Sequence, residues 1–255
     1  MKMEQLIPDH AAPDRIMRDM TTVLSCPAQI EEACAHLARQ DKALSALITR
    51  VGPPRLTLSL EQSPFEALIR AIAHQQLHAR AAEAILARFL ALFPVNTDFP
   101  SPLEIMALDT ETLRQCGFSG TKIIALRGVC EAAQGGIIPD RSGCTALDDE
   151  TLIQRLTTLR GIGRWTVEML MIFTLGRTDI LPVDDFGVRE GWRLIKGLES
   201  QPRPKILADI GQSWSPWRSL AAWYLWRAAD EAKKIPRPPP SEPATSRERL
   251  LRAKP

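Results

Sequence analysis

Apolar residues recur along this chain at three- and four-residue intervals almost from end to end, and that period predicts helices. Ile30, Cys34 and Leu37, then Leu44, Leu47 and Ile48, share a helical spacing between Ala28 and Val51, and Gly52-Pro53-Pro54 stops the run. RLTLSL (Arg55 to Leu60) alternates as a strand does, but no partner strand is evident, so it reads as an extended connector. Phe65, Leu68, Ile69 and Ile72 make the next stripe, and beyond the polar HQQLH another carries Ala81, Ile85, Phe89 and Leu92. After a turn rich in proline (Pro94, Pro100, Pro102) come three short amphipathic helices, LEIMAL, TETLRQCGF and TKIIALRGVCEAA, with Gly117, Gly120 and Gly135-Gly136 as stops. DDETLIQRLTTL then leads into LRGIG, and a helix is expected from Arg164 to Leu175, stopping at Gly176. The loop RTDILPVDD enters a helix at Phe186, and SWSPWRSLAAWYLWRAADEAKK is the last strong helix. The predicted fold class is all-α, with about ten helices and short loops.

Both ends fall outside this pattern. Residues 1–24 lack a sustained period and are expected to form a flexible arm, which leaves 25–232 as the folded domain. Residues 233–255 are proline-rich and polar, and a disordered tail is expected there. The tail also changes the reading of charge. It holds seven basic residues against two acidic ones, so the chain's net +2 leaves −3 for the preceding residues. The body is no basic coat for nucleic acid, and any DNA binding by it must come from local geometry. No apolar stretch approaches the roughly 20 residues of a membrane helix, and no partner in a membrane is expected. Five scattered cysteines without a CxxC pair suggest neither a zinc site nor a disulfide framework, and fit a reducing compartment.

Two short stretches can carry chemistry. In LRGIGRWTVEML (Leu159 to Leu170), two glycines sit in a turn between helices, the pattern of a helix-hairpin-helix. Glycine permits the sharp turn and, lacking Cβ, lets a phosphate approach main-chain N–H groups at the positive end of the next helix. Such a turn grips a DNA backbone without reading sequence. An ordinary helix–helix turn with a glycine cap would look similar, and the flanking apolar pattern favours DNA. In LPVDDFGVREGW, Asp184 and Asp185 immediately precede a helix. Aspartate is a preferred N-cap, and a carboxylate fixed there is also rigid enough to serve catalysis. All six tryptophans lie from Trp165 onwards. Trp192, Trp214, Trp217 and Trp223 read as core.

Taken in order and spacing, LRGIGRWTVEML…ILPVDDFGVREG resembles the helix-hairpin-helix DNA glycosylase superfamily, in its alkylpurine (3-methyladenine DNA glycosylase II) branch. PFEALIRAIAHQQLHARAAEAILARF, CGFSGTKIIALRGVCEAAQGG and WSPWRSLAAWYLWR extend the likeness over roughly Ser63 to Arg227. The resemblance implies two helical lobes with a central cleft, one of residues 64–180 and the other of 25–63 plus 181–232. It implies a monomeric, monofunctional glycosylase that acts on double-stranded DNA containing damaged bases. That enzyme would initiate base excision repair by hydrolysing the N-glycosidic bond of alkylated purines such as 3-methyladenine and 7-methylguanine. A deaminated base (uracil or hypoxanthine) and a non-catalytic DNA-binding role are the alternatives. Its place would be the cytoplasm, at the nucleoid, in a bacterium, or the nucleus in a eukaryote.

Matched position by position, the family's catalytic aspartate falls on Asp185. It would stabilise positive charge on the sugar once the nucleotide has swung out of the duplex. Trp165 and Trp226 match pocket tryptophans, with Trp165 expected to face Asp185 across the pocket. A cationic base would stack on such rings. Met169 stands where relatives can carry an aromatic residue, and Phe186 and Asp184 are further substrate-binding candidates. Gly161, Ile162, Gly163, Arg164 and Thr166 would hold the DNA backbone, with Gln76, Leu77 and His78 at the wedge that fills the gap. No cofactor is implied beyond a monovalent cation, Na+ or K+, on the backbone carbonyls of Thr157, Leu159 and Ile162. Members that also cut the strand carry a lysine where Trp165 stands, and iron–sulfur members end in four clustered cysteines; this chain has neither.

Overall fold

The computed structural model describes residues 27–94 and 99–234, and within them every regular element is a helix. The expected arm and nearly all of the expected tail lie outside the described residues. The apolar run at the start is two helices rather than one: α1 (Pro27–Gln40) and α2 (Lys42–Val51). Asp41 divides them by taking an extended backbone and accepting the amides of Ala43 and Leu44 on its carboxylate. RLTLSL forms no regular element.

Then follow α3 (Pro64–His74), α4 (Ala79–Leu90), α5 (Pro102–Ala107), α6 (Thr110–Cys116), α7 (Gly120–Gln134), α8 (Arg141–Ala146) and α9 (Asp149–Thr157). Several are too short to persist alone, and nearly every start carries a side-chain cap. Ser63, Ser101, Asp109, Ser119, Asp140 and Asp148 each accept an amide of the first turn. These helices close around Leu68, Ile72, Phe89, Leu126, Leu156 and Met171, all buried in one apolar core.

The helix expected from Arg164 to Leu175 departs from α geometry halfway. α10 (Arg164–Met169) gives way to a π turn, Leu170–Thr174. The Leu175 amide reaches back five residues to the Leu170 carbonyl at 3.0 Å. The wider turn accompanies unusual carbonyl partners. Phe173 accepts the Ser59 amide at 2.8 Å, and Thr174 accepts Arg141 Nη1 at 2.7 Å. Arg141 Nη2 also donates to the carbonyls of Leu60 and Gln62, which straps the connector onto the π turn.

α11 (Phe186–Lys196), α12 (Pro204–Gly211), a short 3-10 turn (Gln212–Trp214) and α13 (Arg218–Lys234) complete the chain. The last helix therefore starts after Pro216 rather than at Ser213. A second core unites Leu37, Leu44 and Leu47 with Val188, Trp192, Trp214, Trp217, Leu220, Trp223 and Tyr224. The four tryptophans read as core are buried, each at most 8% exposed. α11 and α13 cross at Gly191, where an added Cβ would lie 2.0 Å from the Leu225 carbonyl oxygen. Trp226 packs against both cores, at the seam between them.

Candidate active site

The turn between α9 and α10 shows why each glycine is there. Gly161 has φ +84°, and a Cβ on it would sit 2.9 Å from that of Ala125. Gly163 has ordinary extended backbone, is exposed, and would give a Cβ nothing to touch within 4 Å. Packing and strain therefore require glycine at 161 and not at 163. At 163 the bare backbone opens onto the amides of Arg164 and Trp165, which precede the first backbone bonds of α10, those of Thr166 and Val167 to the Gly163 carbonyl. Gly163→Val is expected to leave the melting temperature near that of the parent. It should weaken binding of damaged and undamaged duplex alike, by about tenfold if one phosphate contact is lost. Equal affinity of variant and parent in fluorescence anisotropy at matched salt would contradict a phosphate-gripping turn.

Two of the residues assigned to the DNA backbone are corrected by the structure. Ile162 is buried, and its amide is spent on the Leu159 carbonyl at 3.0 Å. Thr166 is 6% exposed, donates its amide to Gly163, and turns into the cleft. Arg164 lies at the surface, but its guanidinium is already shared. Nη1 and Nη2 grip Glu150 at 3.2 and 2.9 Å, and Nε donates to Glu168 at 3.1 Å.

Asp185 caps α11 by accepting the Val188 amide on Oδ1 at 2.8 Å. The same oxygen accepts Trp226 Nε1 at 2.9 Å, and Oδ2 accepts Trp165 Nε1 at 2.7 Å. One carboxylate thus joins α10, α11 and α13. Gly187 makes room for this, since a Cβ there would fall 2.8 Å from Trp226 Cδ1. Asp185 and Trp165 do not face each other across an open gap, as expected from sequence; the indole binds the carboxylate directly.

A cavity of about 550 Å³ lies beside this junction. Trp165, Met169 and Phe173 form one wall; Arg70 and His74 of α3, Gln75 just past its end, Ser59 of the connector and Gln62 are among the residues that line the rest. Trp226 is set behind the wall, its ring stacked on Phe173 at 5.8 Å and 26°. Phe186 (63% exposed) and Asp184 stand outside the cavity. Phe173 was missed in the sequence reading, although Trp165, Met169 and Phe173 recur every four residues.

The model of the HhH-GPD superfamily of base excision DNA repair proteins matches residues 69–216, which include the hairpin, Asp185 and most of the cavity wall. The chain belongs to this superfamily. It is 43% identical over 210 residues to DNA-3-methyladenine glycosylase 1 of Schizosaccharomyces pombe, covering 81% of this chain and 92% of that one. The alkylbase DNA glycosidase-like protein mag2 of the same yeast is 38% identical over 204 residues, covering 80% and 96%. The solved structure of the S. pombe 3-methyladenine DNA glycosylase with abasic DNA superposes with a TM-score of 0.70 at 42% identity, over 77% of this chain and 95% of that one.

In this HhH-GPD chain the segment expected to act as the wedge follows α3. Leu77 is 42% exposed, and Gln76 before it has φ +56°, a left-handed conformation rare outside glycine. His78 takes the cap position of α4 without a side-chain bond to it.

Glu168 is a further residue that sequence reasoning passed over; its only signal was a lone carboxyl inside the apolar run TVEMLMIF. Its side chain is 5% exposed. Burial pushes its carboxyl up to about 7, Asp184 and Asp185 push the same way, and Arg164 pulls it down. A carboxyl raised in the folded state stabilises the fold fully below its unfolded value, near 4.5, and that stability is lost as pH rises through about 7. The difference is on the order of 3 kcal/mol. Glu168→Gln is expected to flatten this fall, with its advantage over the parent growing between about pH 5 and pH 8 in denaturant melts. A gap between the two proteins that stays constant over that range would contradict the assignment.

Proposed function

We propose that this chain is a monofunctional DNA glycosylase that hydrolyses the N-glycosidic bond of alkylated purines in duplex DNA, 3-methyladenine and 7-methylguanine above all. The observation that carries the proposal is the Asp185 carboxylate, oriented by two indoles and a helix amide, one of those indoles (Trp165) also forming a wall of the aromatic cavity. The names of the similar yeast proteins support the alkylated base as substrate.

The damaged nucleotide swings out of the stack and its base enters the cavity, where Trp165 and Phe173 present electron-rich faces to a cationic ring. An alkylated purine leaves readily because the electron pair of the breaking C1′–N bond neutralises its charge. Asp185 stabilises the positive charge that builds on the sugar, and water adds to C1′ with loss of a proton. Binding rests on the Gly163 turn, Arg164 and the wedge residues Gln76, Leu77 and His78. The carbonyls of Thr157, Leu159 and Ile162 are neutral donors at a helix end, a set that suits Na+ or K+. Bound there, such an ion would add positive charge to the turn. The Leu159 carbonyl keeps a lone pair for it beside its bond to Ile162.

Strand cleavage requires an amine at the position of Trp165, and an indole nitrogen is neither basic nor nucleophilic. Lys122 is tied to the Ala73 carbonyl at 2.8 Å and Lys196 to Asp41 at 2.9 Å. A duplex carrying 7-methylguanine should therefore yield an abasic strand that breaks only after alkali, and borohydride should trap no protein–DNA adduct. A trapped adduct would overturn the monofunctional reading.

A further inference from the structure

We propose that Gln75 is a positioning residue that couples the grip on the DNA backbone to extrusion of the damaged base. The inference rests on the proposed reading of the cavity as the seat of that base.

Gln75 caps the end of α3, and its amide reaches the carbonyls of Ala71 and Ile72 at 3.2 and 3.4 Å, which ties its position to that helix. Its side chain crosses to the hairpin turn of the same lobe: Nε2 donates to the Gly161 carbonyl at 2.7 Å. That carbonyl shares one peptide unit with the Ile162 amide, which is bonded to the Leu159 carbonyl. The Gly161–Ile162 peptide plane is thereby held at both ends, by its own hairpin and by Gln75. The next amides along the chain are those of Gly163 and Arg164, the ones facing a bound phosphate.

On its other side Gln75 leads directly into the wedge. Gln76 turns the chain with φ +56°, and the Leu77 amide returns to the His74 carbonyl at 3.3 Å, leaving the leucine side chain exposed. Gln75 also lines the cavity between these two elements. A single side chain therefore fixes the separation of the phosphate-binding turn, the wedge and the mouth of the pocket, across 86 residues of sequence. A non-glycine residue in the left-handed region is strained, and persists where its surroundings hold it. With the strut in place, closing the hairpin on the backbone sets Leu77 at a defined depth. Without it, the hairpin still binds but the wedge is no longer registered against the phosphate.

Gln75→Ala removes the strut, and Gln75→Met removes the donor while keeping the length that fills the cavity wall. Single-turnover excision is measured on 7-methylguanine in a fully paired duplex and on the same lesion opposite a tetrahydrofuran gap, where extrusion costs little. Wild-type excision, run alongside, reports on the glycosylase reading separately. Because Gln75 also lines the cavity, the readout is the ratio of the two lesions: both variants are expected to lose about five- to tenfold more, relative to wild type, on the paired lesion than on the unpaired one, the worth of one hydrogen bond. Affinity for undamaged duplex should not change. Loss of equal size on both lesions, or a methionine variant that matches wild type on the paired one, would overturn the coupling role.

Discussion

Asp185→Asn is expected to reduce single-turnover base release by at least about 10³-fold, the scale seen when one preorganised electrostatic contact is removed from a transition state. Shape and capping survive the change, because the asparagine carbonyl can still accept the Val188 amide and the Trp226 indole. Its NH2 group then points at Trp165 Nε1, a donor facing a donor, where the wild type has a 2.7 Å bond. Trp165 is 46% exposed and can turn to water, so the cost to the fold should stay near 1 kcal/mol. Affinity for an abasic duplex should persist. Asp184→Asn is the control: Asp184 is exposed and outside the cavity, and its loss should be far milder. An inactive Asp184→Asn beside an active Asp185→Asn would shift the catalytic assignment by one residue.

The largest loss of stability is expected at Gly191. Alanine is the better helix former by about 1 kcal/mol, so propensity alone favours Gly191→Ala. The structure reverses the sign. The new methyl would meet Leu225 backbone atoms at 2.0, 2.6 and 2.8 Å, and no side-chain rotation can relieve a backbone clash. α11 and α13 must part, which opens the core around Trp192 and Tyr224. A cost of about 3 kcal/mol or more follows, at the upper end for overpacking. Asp185 begins one of these helices and Trp226 lies on the other, so activity should fall as well. A calorimetric melting temperature equal to or above that of the parent would refute this account of the crossing.

What could be read in the sequence was whatever the chain encodes locally. The LRGIG turn announces itself because a left-handed backbone needs glycine, and the Asp-Asp pair because a helix start needs an acceptor. Asp41 carried the same capping signal within a continuous apolar period, and the period masked it. The π turn was invisible for a different reason. VEMLMIFTL is apolar nearly throughout, so five-residue spacing costs it no burial and leaves no mark on the pattern. The bonds from Trp165 and Trp226 to Asp185 join residues 20 and 41 positions apart, and no local rule selects those two tryptophans from six. Only the family resemblance singled them out. Gln75 lay beyond both kinds of signal, since its partner is a backbone carbonyl, which every residue possesses.

Asp185 and the aromatic cavity whose wall its partner Trp165 forms are expected to release alkylated purines from duplex DNA. The most direct measurement is chromatography of free bases liberated from methylated duplex, beside matched duplexes containing uracil, hypoxanthine or normal bases only. Wild-type protein is expected to put 3-methyladenine and 7-methylguanine in the soluble fraction and Asp185→Asn none, with phosphodiester strands intact until alkali is added. Release of uracil or hypoxanthine without the methylated bases, or undiminished release by Asp185→Asn, would contradict this assignment.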